Sequence, residues 1–285
     1  MNQECSLSRR GFMAAAGGGL LAMRASAAGD ARKRRDKSGD PDRGLKLRVA
    51  SYSTRKFSLD ETIDMLQALN VRHVTLKSMH LPYENSREER QAAAKKIKDA
   101  GIALMGGGVI YLKNDEKQIL DAFEYCRDAG MTVMVAAPDL DALPTVENMV
   151  KEFDIRVAIH NHGPGDQKYP SPLDAYRIAN DYDSRIGVCI DIGHSVRIGE
   201  DEIEVIYAVK DRLYDFHIKD VTERTARGAN IEVGRGVIDI PGVLKALLDL
   251  NFTGHVALEY EKDENNPLPG MKESFGYIRG VLAAL

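Results

Sequence analysis

The sequence predicts an α/β protein that folds as one closed barrel of eight parallel strands, a (β/α)8 barrel. From Leu45 to the C-terminus, eight short apolar runs alternate with eight amphipathic helical patterns. Such alternation is typical of parallel strands joined by crossover helices, and eight units in about 240 residues suit a closed barrel. An open doubly wound sheet is the alternative. It lacks support because Gly106-Gly107-Gly108 does not have the G-x-G-x-x-G spacing of a dinucleotide site.

The predicted strands are runs rich in apolar and β-branched residues. They are Leu47–Tyr52, Arg72–Lys77, Ile102–Met105, Thr132–Ala136, Ile155–His160, Ile186–Asp191, Leu213–Lys219 and Val256–Tyr260. The predicted helices have apolar residues at helical spacing, and several carry cap signals such as Ser58 and Asp239 before them or Gly101 and Gly130 after them. They are Leu59–Leu69, Arg87–Ala100, Glu116–Ala129, Thr145–Phe153, Pro172–Asn180, Asp201–Lys210, Asp239–Leu250 and Met271–Leu282.

The composition is that of an ordinary globular protein. The 285 residues are 44% hydrophobic and 29% charged, with a formal net charge of -4. A nucleic-acid surface would normally be basic, so we expect no nucleic-acid partner. The three cysteines include no C-x-x-C pair and do not form a disulfide framework.

The first residues resemble an export signal rather than part of a fold. Arg9-Arg10 forms a twin-arginine pattern, an apolar segment follows at Ala14–Met23, and Ala25-Ser26-Ala27 offers small residues for cleavage. We therefore assign residues 1–28 to a Tat-type signal cleaved near Ala27 or Ala28, residues 29–44 to a charged flexible linker and residues 45–285 to the barrel. A periplasmic location follows. The apolar segment is too short for a stable membrane span.

Polar side chains lie at the carboxyl ends of four successive predicted strands, the fifth to the eighth. In a barrel, side chains alternate between the interior and the helix layer, and active sites lie at the carboxyl ends of the strands. On each of these strands the large apolar residues occupy the outward positions. The intervening residues His160, Asp191, His217 and Glu259 should therefore converge inside the barrel.

Two imidazoles and two carboxylates form a good ligand set for one divalent transition metal. Imidazole ligands favour Mn, Co, Zn or Fe over Mg or Ca, and we expect Mn, Co or Zn. A buried carboxylate such as Asp191 also needs a cation or a donor to offset its desolvation. The alternative for Asp191 is that it only caps the following helix, with His194 on the surface.

Four segments resemble the xylose isomerase-like TIM-barrel family. They are Val157–Gly163, Ile190–His194, Phe216–Asp220 and Ala257–Glu259. This family includes sugar and sugar-phosphate isomerases, ketose epimerases, inosose dehydratases and an endonuclease branch. The resemblance covers the chain from about Leu45 to its end and implies one metal at the ends of the last four strands.

The resemblance matches three usual metal ligands of the family, Asp191, His217 and Glu259. The fourth ligand is usually a glutamate in an E-N-H motif, whereas this chain has His160. In the family's epimerases that glutamate also moves protons. A standard two-glutamate epimerase mechanism is therefore in doubt for this sequence.

A metal that chelates a carbonyl and the adjacent hydroxyl acidifies the neighbouring C–H and stabilises an enediolate. A base must then remove the proton. The candidates are His162, Lys77, Lys219 and Glu259, with His162 preferred because it should face inward near the metal. Lys77, at the end of the second strand, can instead polarise a substrate oxygen, or its stem can simply lie on the barrel wall.

Further residues are expected to bind the substrate. His194 and Arg197 should contact hydroxyl groups, and Lys219 should face the interior beside them. The Gly234-Arg235-Gly236 segment is interpreted as a lid that brings Arg235 into the site. A solvated loop arginine is the alternative.

The expected function is a metal-dependent sugar isomerase or epimerase that acts on a small carbohydrate through an enediolate. One alternative is a lyase that cleaves 3-keto-glycosides by β-elimination, which the expected export and the missing glutamate both favour. A non-catalytic sugar-binding protein is the other. The endonuclease branch is disfavoured by the acidic charge, and a homo-oligomer is possible.

Cleavage of the signal can be measured directly. N-terminal sequencing of the periplasmic form should begin near Ala28 or Gly29, because the small residues before them suit a signal peptidase. An intact Met1 in that fraction would contradict the export prediction.

Overall fold

The computed structural model of the chain describes residues 39–285. The predicted signal, residues 1–28, and most of the predicted linker lie outside the described residues. The end of that linker, residues 41–44, forms a turn that contacts the last helix: Arg279 Nε donates to the Asp42 carboxylate at 2.9 Å, and Arg43 donates to the Leu282 carbonyl at 3.2 Å. No helix in residues 39–285 combines the length and apolar character that a membrane crossing requires.

Eight parallel strands close into a barrel, as predicted. The barrel strands are β1 Lys46–Ala50, β2 His73–Leu76, β3 Ala103–Leu112, β4 Val133–Pro138, β5 Arg156–His160, β6 Ile186–Asp191, β7 Leu213–Ile218 and β10 His255–Leu258. Each strand pairs with its neighbours in sequence order, and β10 closes the barrel against β1. A short antiparallel pair, β8 Asp220–Val221 and β9 Asn230–Ile231, lies in the loop after β7.

The helices of the described residues follow the strands. They are α1 Leu59–Ala68, α2 Arg87–Asp99, α3 Glu116–Asp128, α4 Leu143–Phe153, α5 Pro172–Ala179, α6 Ile192–Arg197, α7 Glu202–Ala208, α8 Ile240–Asp249 and α9 Pro267–Ala284, with short 3-10 turns at Ser51–Thr54 and Leu140–Ala142. The predicted caps are confirmed: Ser58 forms a capping box with Glu61, and Asp239 caps α8. The short helix α6 was not predicted.

The alternation of inward and outward side chains is as predicted. Large apolar residues of the strands, such as Ile159 and Ile190, belong to the extensive core between the strands and the helices. A smaller cluster fills the barrel interior and includes Ala158 and Cys189. The polar residues at the strand ends therefore lie above a packed interior layer.

The amino-terminal end of the barrel interior is closed by a buried ion pair. Arg48 of β1 donates to the Asp215 carboxylate of β7, and both side chains are fully buried. His255 of β10 lies beside this pair, 4.0 Å from Asp215. Burial, followed by the nearby Arg48 charge, lowers the pKa of His255 to about 3. His255 is therefore structural, in agreement with its place at the start of a strand.

The glycine run Gly106-Gly107-Gly108 was expected to follow a short third strand, but it lies within β3. Its role is close packing against β4, because a Cβ on Gly106 would lie 2.6 Å from the Val133 carbonyl oxygen. The register between β3 and β4 also shifts after Gly107. The prediction ended the strand too early because glycine is depleted in ordinary strands.

The close contact at Gly106 can be tested by adding one methyl group. We expect Gly106→Ala to lower the free energy of unfolding by about 1–3 kcal/mol, since the β3 and β4 backbones must separate. Each kcal/mol should lower Tm by roughly 2–4 °C in a protein of this size.

Gly276→Ala is the matched control. Gly276 lies within α9, and its added Cβ would meet no atom within 4 Å. This substitution should raise stability by about 0.5–1 kcal/mol because alanine favours the helix. Equal Tm values for wild type and Gly106→Ala would contradict the packing argument.

Candidate metal centre

Asp191 has two roles at the junction of β6 and α6. Its Oδ1 accepts a hydrogen bond from the backbone N–H of His194 at 3.0 Å and so caps α6. Its Oδ2 lies among the side chains of the neighbouring strands, 2.8 Å from the Lys219 ammonium. The helix-cap alternative and the ligand prediction are thus compatible, because each uses a different oxygen.

Asn161 fixes the backbone of Asp191. Its Oδ1 accepts from the Asp191 N–H at 2.8 Å, and its Nδ2 donates to the Asp191 carbonyl at 3.2 Å. Gly193 lies in α6 and provides space for the stem of Lys219, whose Cγ would be 2.5 Å from an added Cβ. These contacts hold the carboxylate in one position.

The four predicted ligands come together. One ligand atom from each of His160, Asp191, His217 and Glu259 lies within 4.8 Å of all the others, and all four side chains are buried. His160 Nε2 lies 3.2 Å from His217 Nδ1 and 3.6 Å from Asp191 Oδ2. His217 Nδ1 lies 3.3 Å from Glu259 Oε2 and 3.9 Å from Asp191 Oδ2.

These spacings fit a four-coordinate metal. Ligands about 2.1 Å from a tetrahedral ion are separated by about 3.4 Å, close to the observed distances. Burial lowers the pKa of His160 to about 3, so its imidazole is neutral and has a lone pair for a metal. Cys189 forms an alternative group with His160 and His217. Burial raises the pKa of its thiol well above the usual range, which makes it a poor ligand.

The Lys219 ammonium contacts the same carboxylates. Its Nζ lies 2.8 Å from Asp191 Oδ2, 2.9 Å from Glu259 Oε2 and 2.6 Å from Glu261 Oε1, with the side chain 3% exposed. Burial opposes the charge of Lys219, but the three carboxylates raise its pKa well above the usual range. Lys219 therefore balances buried negative charge rather than offering a free donor to a substrate.

The two carboxylate ligands are held ionised. Burial alone would raise the pKa of Asp191, but His194 and Lys219 outweigh it and lower that pKa far below the usual range. The same opposition applies to Glu259, whose pKa the Lys219 and His217 charges lower. Both groups can therefore ligate a cation at neutral pH.

His162 forms a dyad with Asp166 next to the four ligands. His162 Nδ1 lies 3.0 Å from Asp166 Oδ2, and its ring centroid lies 4.7 Å from that of His160. The Tyr111 hydroxyl lies 3.3 Å from His162 Nε2, and the two rings stack. Burial lowers the pKa of His162 although Asp166 raises it. A neutral imidazole with its Nδ1–H on a carboxylate is a suitable general base.

Asp166 was missed in the sequence because it lies in a loop rather than on a strand. The chain after His162 reverses through Gly163 and Gly165, whose φ values are +71° and +94°. This turn returns Asp166 to the imidazole, and its carboxylate also accepts backbone hydrogen bonds from Lys168 and Tyr169. The Gly-Pro-Gly-Asp segment was the available signal.

Two predicted substrate-binding residues lie beside the centre. His194 Nε2 is 3.9 Å from Asp191 Oδ2, and its ring is partly exposed. Arg197 contacts His194 Nδ1 at 3.4 Å and donates to the Ala226 carbonyl at 2.8 Å. His194 can therefore reach a ligand, whereas Arg197 positions His194 against the loop after β7.

Lys77 lies at the end of β2 with its ammonium 4.4 Å from the centre of the Tyr52 ring. Burial lowers the pKa of Lys77, while Glu259 and Glu261 raise it and Lys219 lowers it. The ammonium is thus within electrostatic range of the metal centre, as its predicted inward orientation requires.

The structure does not bring Arg235 to the centre. Its side chain is 59% exposed and pairs with Glu273 of α9. The Gly234-Arg235-Gly236 segment is instead held by Asp220, whose carboxylate accepts from Gly234 and Gly236 N–H at 2.9 Å each. Arg235 is therefore solvent-exposed and away from the centre in this structure, and its role in a lid stays a prediction.

A closed parallel barrel with a buried centre of two histidines and two carboxylates defines the class of protein. The chain belongs to the xylose isomerase-like TIM barrel family, whose sequence pattern matches residues 53–281. The resemblance noted from the strand-end motifs is thereby confirmed.

The chain is also similar in sequence to an enzyme with a named activity. The inosose dehydratase of Clostridium perfringens (strain 13 / Type A) is 26% identical over 148 residues, which are 46% of this chain. The match spans about half, 50%, of that enzyme's length. We therefore treat that enzyme's activity only as a guide to a proposal.

Two solved structures share the fold. The 3-keto-D-glucoside 4-epimerase of E. coli has a TM-score of 0.67 at 18% identity, covering 83% of this chain and 99% of that one. The IOLI protein, solved with a bound zinc atom, has a TM-score of 0.68 at 17% identity, covering 84% and 99%. At these identities the similarity establishes the fold alone.

Metal binding can be tested on purified protein. Elemental analysis should find one divalent ion per chain, and Glu259→Gln should weaken its affinity at least tenfold in competition with a chromophoric chelator, because one anionic ligand is lost. Cys189→Ala is the matched control from the same interior and should retain the ion. Loss of the ion in Cys189→Ala but not in Glu259→Gln would contradict the assigned ligand set.

Proposed function

We propose that the protein is a metal-dependent lyase that removes the proton beside a carbonyl of a keto-sugar and expels a β-substituent. The observation that carries this proposal is a single oriented base, His162 with Asp166, beside a centre whose fifth-strand ligand is an imidazole, His160, rather than a carboxylate. The substrate is a small carbohydrate.

The four buried side chains His160, Asp191, His217 and Glu259 would hold the metal. A bound divalent ion supplies Lewis acidity, which polarises a carbonyl and acidifies the adjacent C–H. The chain contributes rigidity, because Asp191 is fixed by Asn161 and by its capping bond to α6. Preorganised ligands avoid a reorganisation cost during the reaction.

His162 is placed to accept the proton. Asp166 accepts the Nδ1–H, so the lone pair of the imidazole is on Nε2, on the opposite side of the ring. The Tyr111 hydroxyl contacts this Nε2 at 3.3 Å and marks the position where a substrate group would enter. The arrangement of nucleophilic nitrogen and orienting carboxylate is that of a general-base dyad.

The fifth-strand histidine favours elimination over epimerisation. Epimerisation needs a second group that carries a proton on the opposite face, and the family resemblance places a glutamate there. The His160 Nε2 faces the other three ligands and would bind the metal, and its Nδ1 is buried, so neither nitrogen can exchange a proton with a substrate. Elimination needs only one base and a donor to the leaving group, for which the Lys77 ammonium is available.

The relatives support this order of candidates. A dehydratase expels water from its substrate, and the matched Clostridium relative carries that name. Elimination thus replaces isomerisation or epimerisation as the first candidate. Epimerisation remains the second candidate because it begins with the same proton removal and because Glu259 and Lys219 lie at the centre. A purely sugar-binding protein would have no need for the His162–Asp166 dyad.

We also propose that the protein acts in the periplasm. This rests on the twin-arginine pattern and cleavage segment of residues 1–28. A protein exported in folded form would carry its metal from the cytoplasm.

The base can be tested by hydrogen exchange. Metal-loaded protein with methyl 3-keto-glucoside in D2O should exchange the C2 proton and release methanol, as followed by NMR. His162→Asn should slow the exchange at least 100-fold, and Asp166→Asn should slow it less, because the base remains but loses its orientation.

Asp181→Asn, at an exposed position after α5, is the control and should exchange at the wild-type rate. Accumulation of an epimer without methanol release would favour the second candidate. Exchange that is unaffected by His162→Asn would exclude His162 as the base.

A further inference from the structure

A cavity of about 660 Å³ adjoins the metal centre on the side of β2 and β3. It lies between the loop after β2, the end of β3 and α3. Lys77 and Tyr111 line it, and these two residues also face the centre, through electrostatic contact with Glu259 and the hydroxyl contact with His162. The cavity therefore continues the candidate active site rather than forming a separate pocket.

The wall of this cavity has an apolar, exposed part and a polar part, which includes Glu84, Arg90, Gln118 and Asp121. Met79, Tyr83 and Tyr111 line it with exposures of 44%, 39% and 57%. They are three of the ten large apolar side chains that are exposed within residues 39–285. Exposed apolar groups gathered around one concavity are typical of a ligand site, and a volume of this size suits a ligand larger than one sugar ring.

The aromatic wall is held in place. Tyr83 packs edge-on against Tyr125 with ring centroids 5.1 Å apart, and Arg90 donates to the Tyr83 carbonyl at 2.7 Å. Gln118 donates to the Tyr111 carbonyl at 2.8 Å. Fixed aromatic side chains bind rings at low entropic cost.

We propose that this cavity binds a large apolar substituent of the sugar, so that the substrates are glycosides with an aromatic-sized aglycone. The assignment of this substituent as the leaving group rests on the proposed elimination. Lys77 lines the cavity and is within electrostatic range of Glu259, so its ammonium is available to the oxygen that joins sugar and aglycone.

The reaction balances without a further reagent. His162 takes the C2 proton of a 3-keto-glycoside, and the C–H electron pair forms a C1=C2 double bond. The C1–O bond breaks, its electrons leave on the aglycone oxygen, and that oxygen takes a proton from Lys77. The products are an unsaturated keto-sugar and the aglycone alcohol.

Binding tests the cavity without turnover. Benzyl and methyl glucosides lack the keto group, and calorimetry on the metal-loaded protein should show the benzyl compound binding at least tenfold more tightly, because its ring leaves water. Tyr83→Ala and Ala122→Leu should both reduce this ratio towards one, by removing the aromatic wall and by filling the cavity respectively. Tyr207→Ala, an exposed tyrosine of α7, should keep the wild-type ratio.

Kinetics separates this inference from the proposed function. The benzyl and methyl 3-keto-glucosides have alcohol leaving groups of similar acidity, so a tenfold or greater preference in kcat/KM for the benzyl compound reports the cavity. A benzyl-to-methyl ratio near one in both binding and kinetics would overturn the inference even if both compounds were cleaved. Tight benzyl binding with neither cleavage nor exchange would support the cavity and contradict the elimination.

Discussion

The structure depends on the burial of carboxylates that only cations can stabilise. The buried carboxylates of Asp191 and Glu259 both lie against one ammonium, that of Lys219, which also contacts the partly exposed Glu261. Two buried carboxylates and one ammonium leave a local charge of −1 when the imidazoles are neutral. Uncompensated buried charge is costly, so a cation bound by the two histidines and these two carboxylates would stabilise the cluster.

The barrel supplies the geometry of this charge cluster. Parallel strands deliver their last inward side chains to the same end, and the packed interior layer beneath prevents them from retreating. The same alternation puts Arg48, Asp215 and His255 at the opposite end as a closed structural group. The same alternation of inward and outward side chains thus places the candidate site at the carboxyl end of the barrel and a stabilising ion pair at its amino end.

The sequence predicted the ligands because they depend only on strand alternation and order. Each ligand lies within one residue of a strand end, where position determines direction: His160, Asp191, His217 and Glu259. Asp166 and Arg235 could not be placed that way, because both lie in loops whose path depends on particular turns and ion pairs. The prediction also ended β3 too early. Its glycines are explained by close packing against β4, which a local strand propensity does not include.

Under the proposed function, the site would hold a sugar beside a metal, and the cavity would hold the sugar's substituent. The central claim is that the four strand-end ligands hold one divalent ion, with Lys219 as its neighbour. Anomalous X-ray diffraction at the metal absorption edge tests this most directly. The account predicts a single strong peak about 2.0–2.2 Å from the His160, Asp191, His217 and Glu259 ligand atoms. Crystals of protein incubated with Zn or Mn that show no peak there would contradict it.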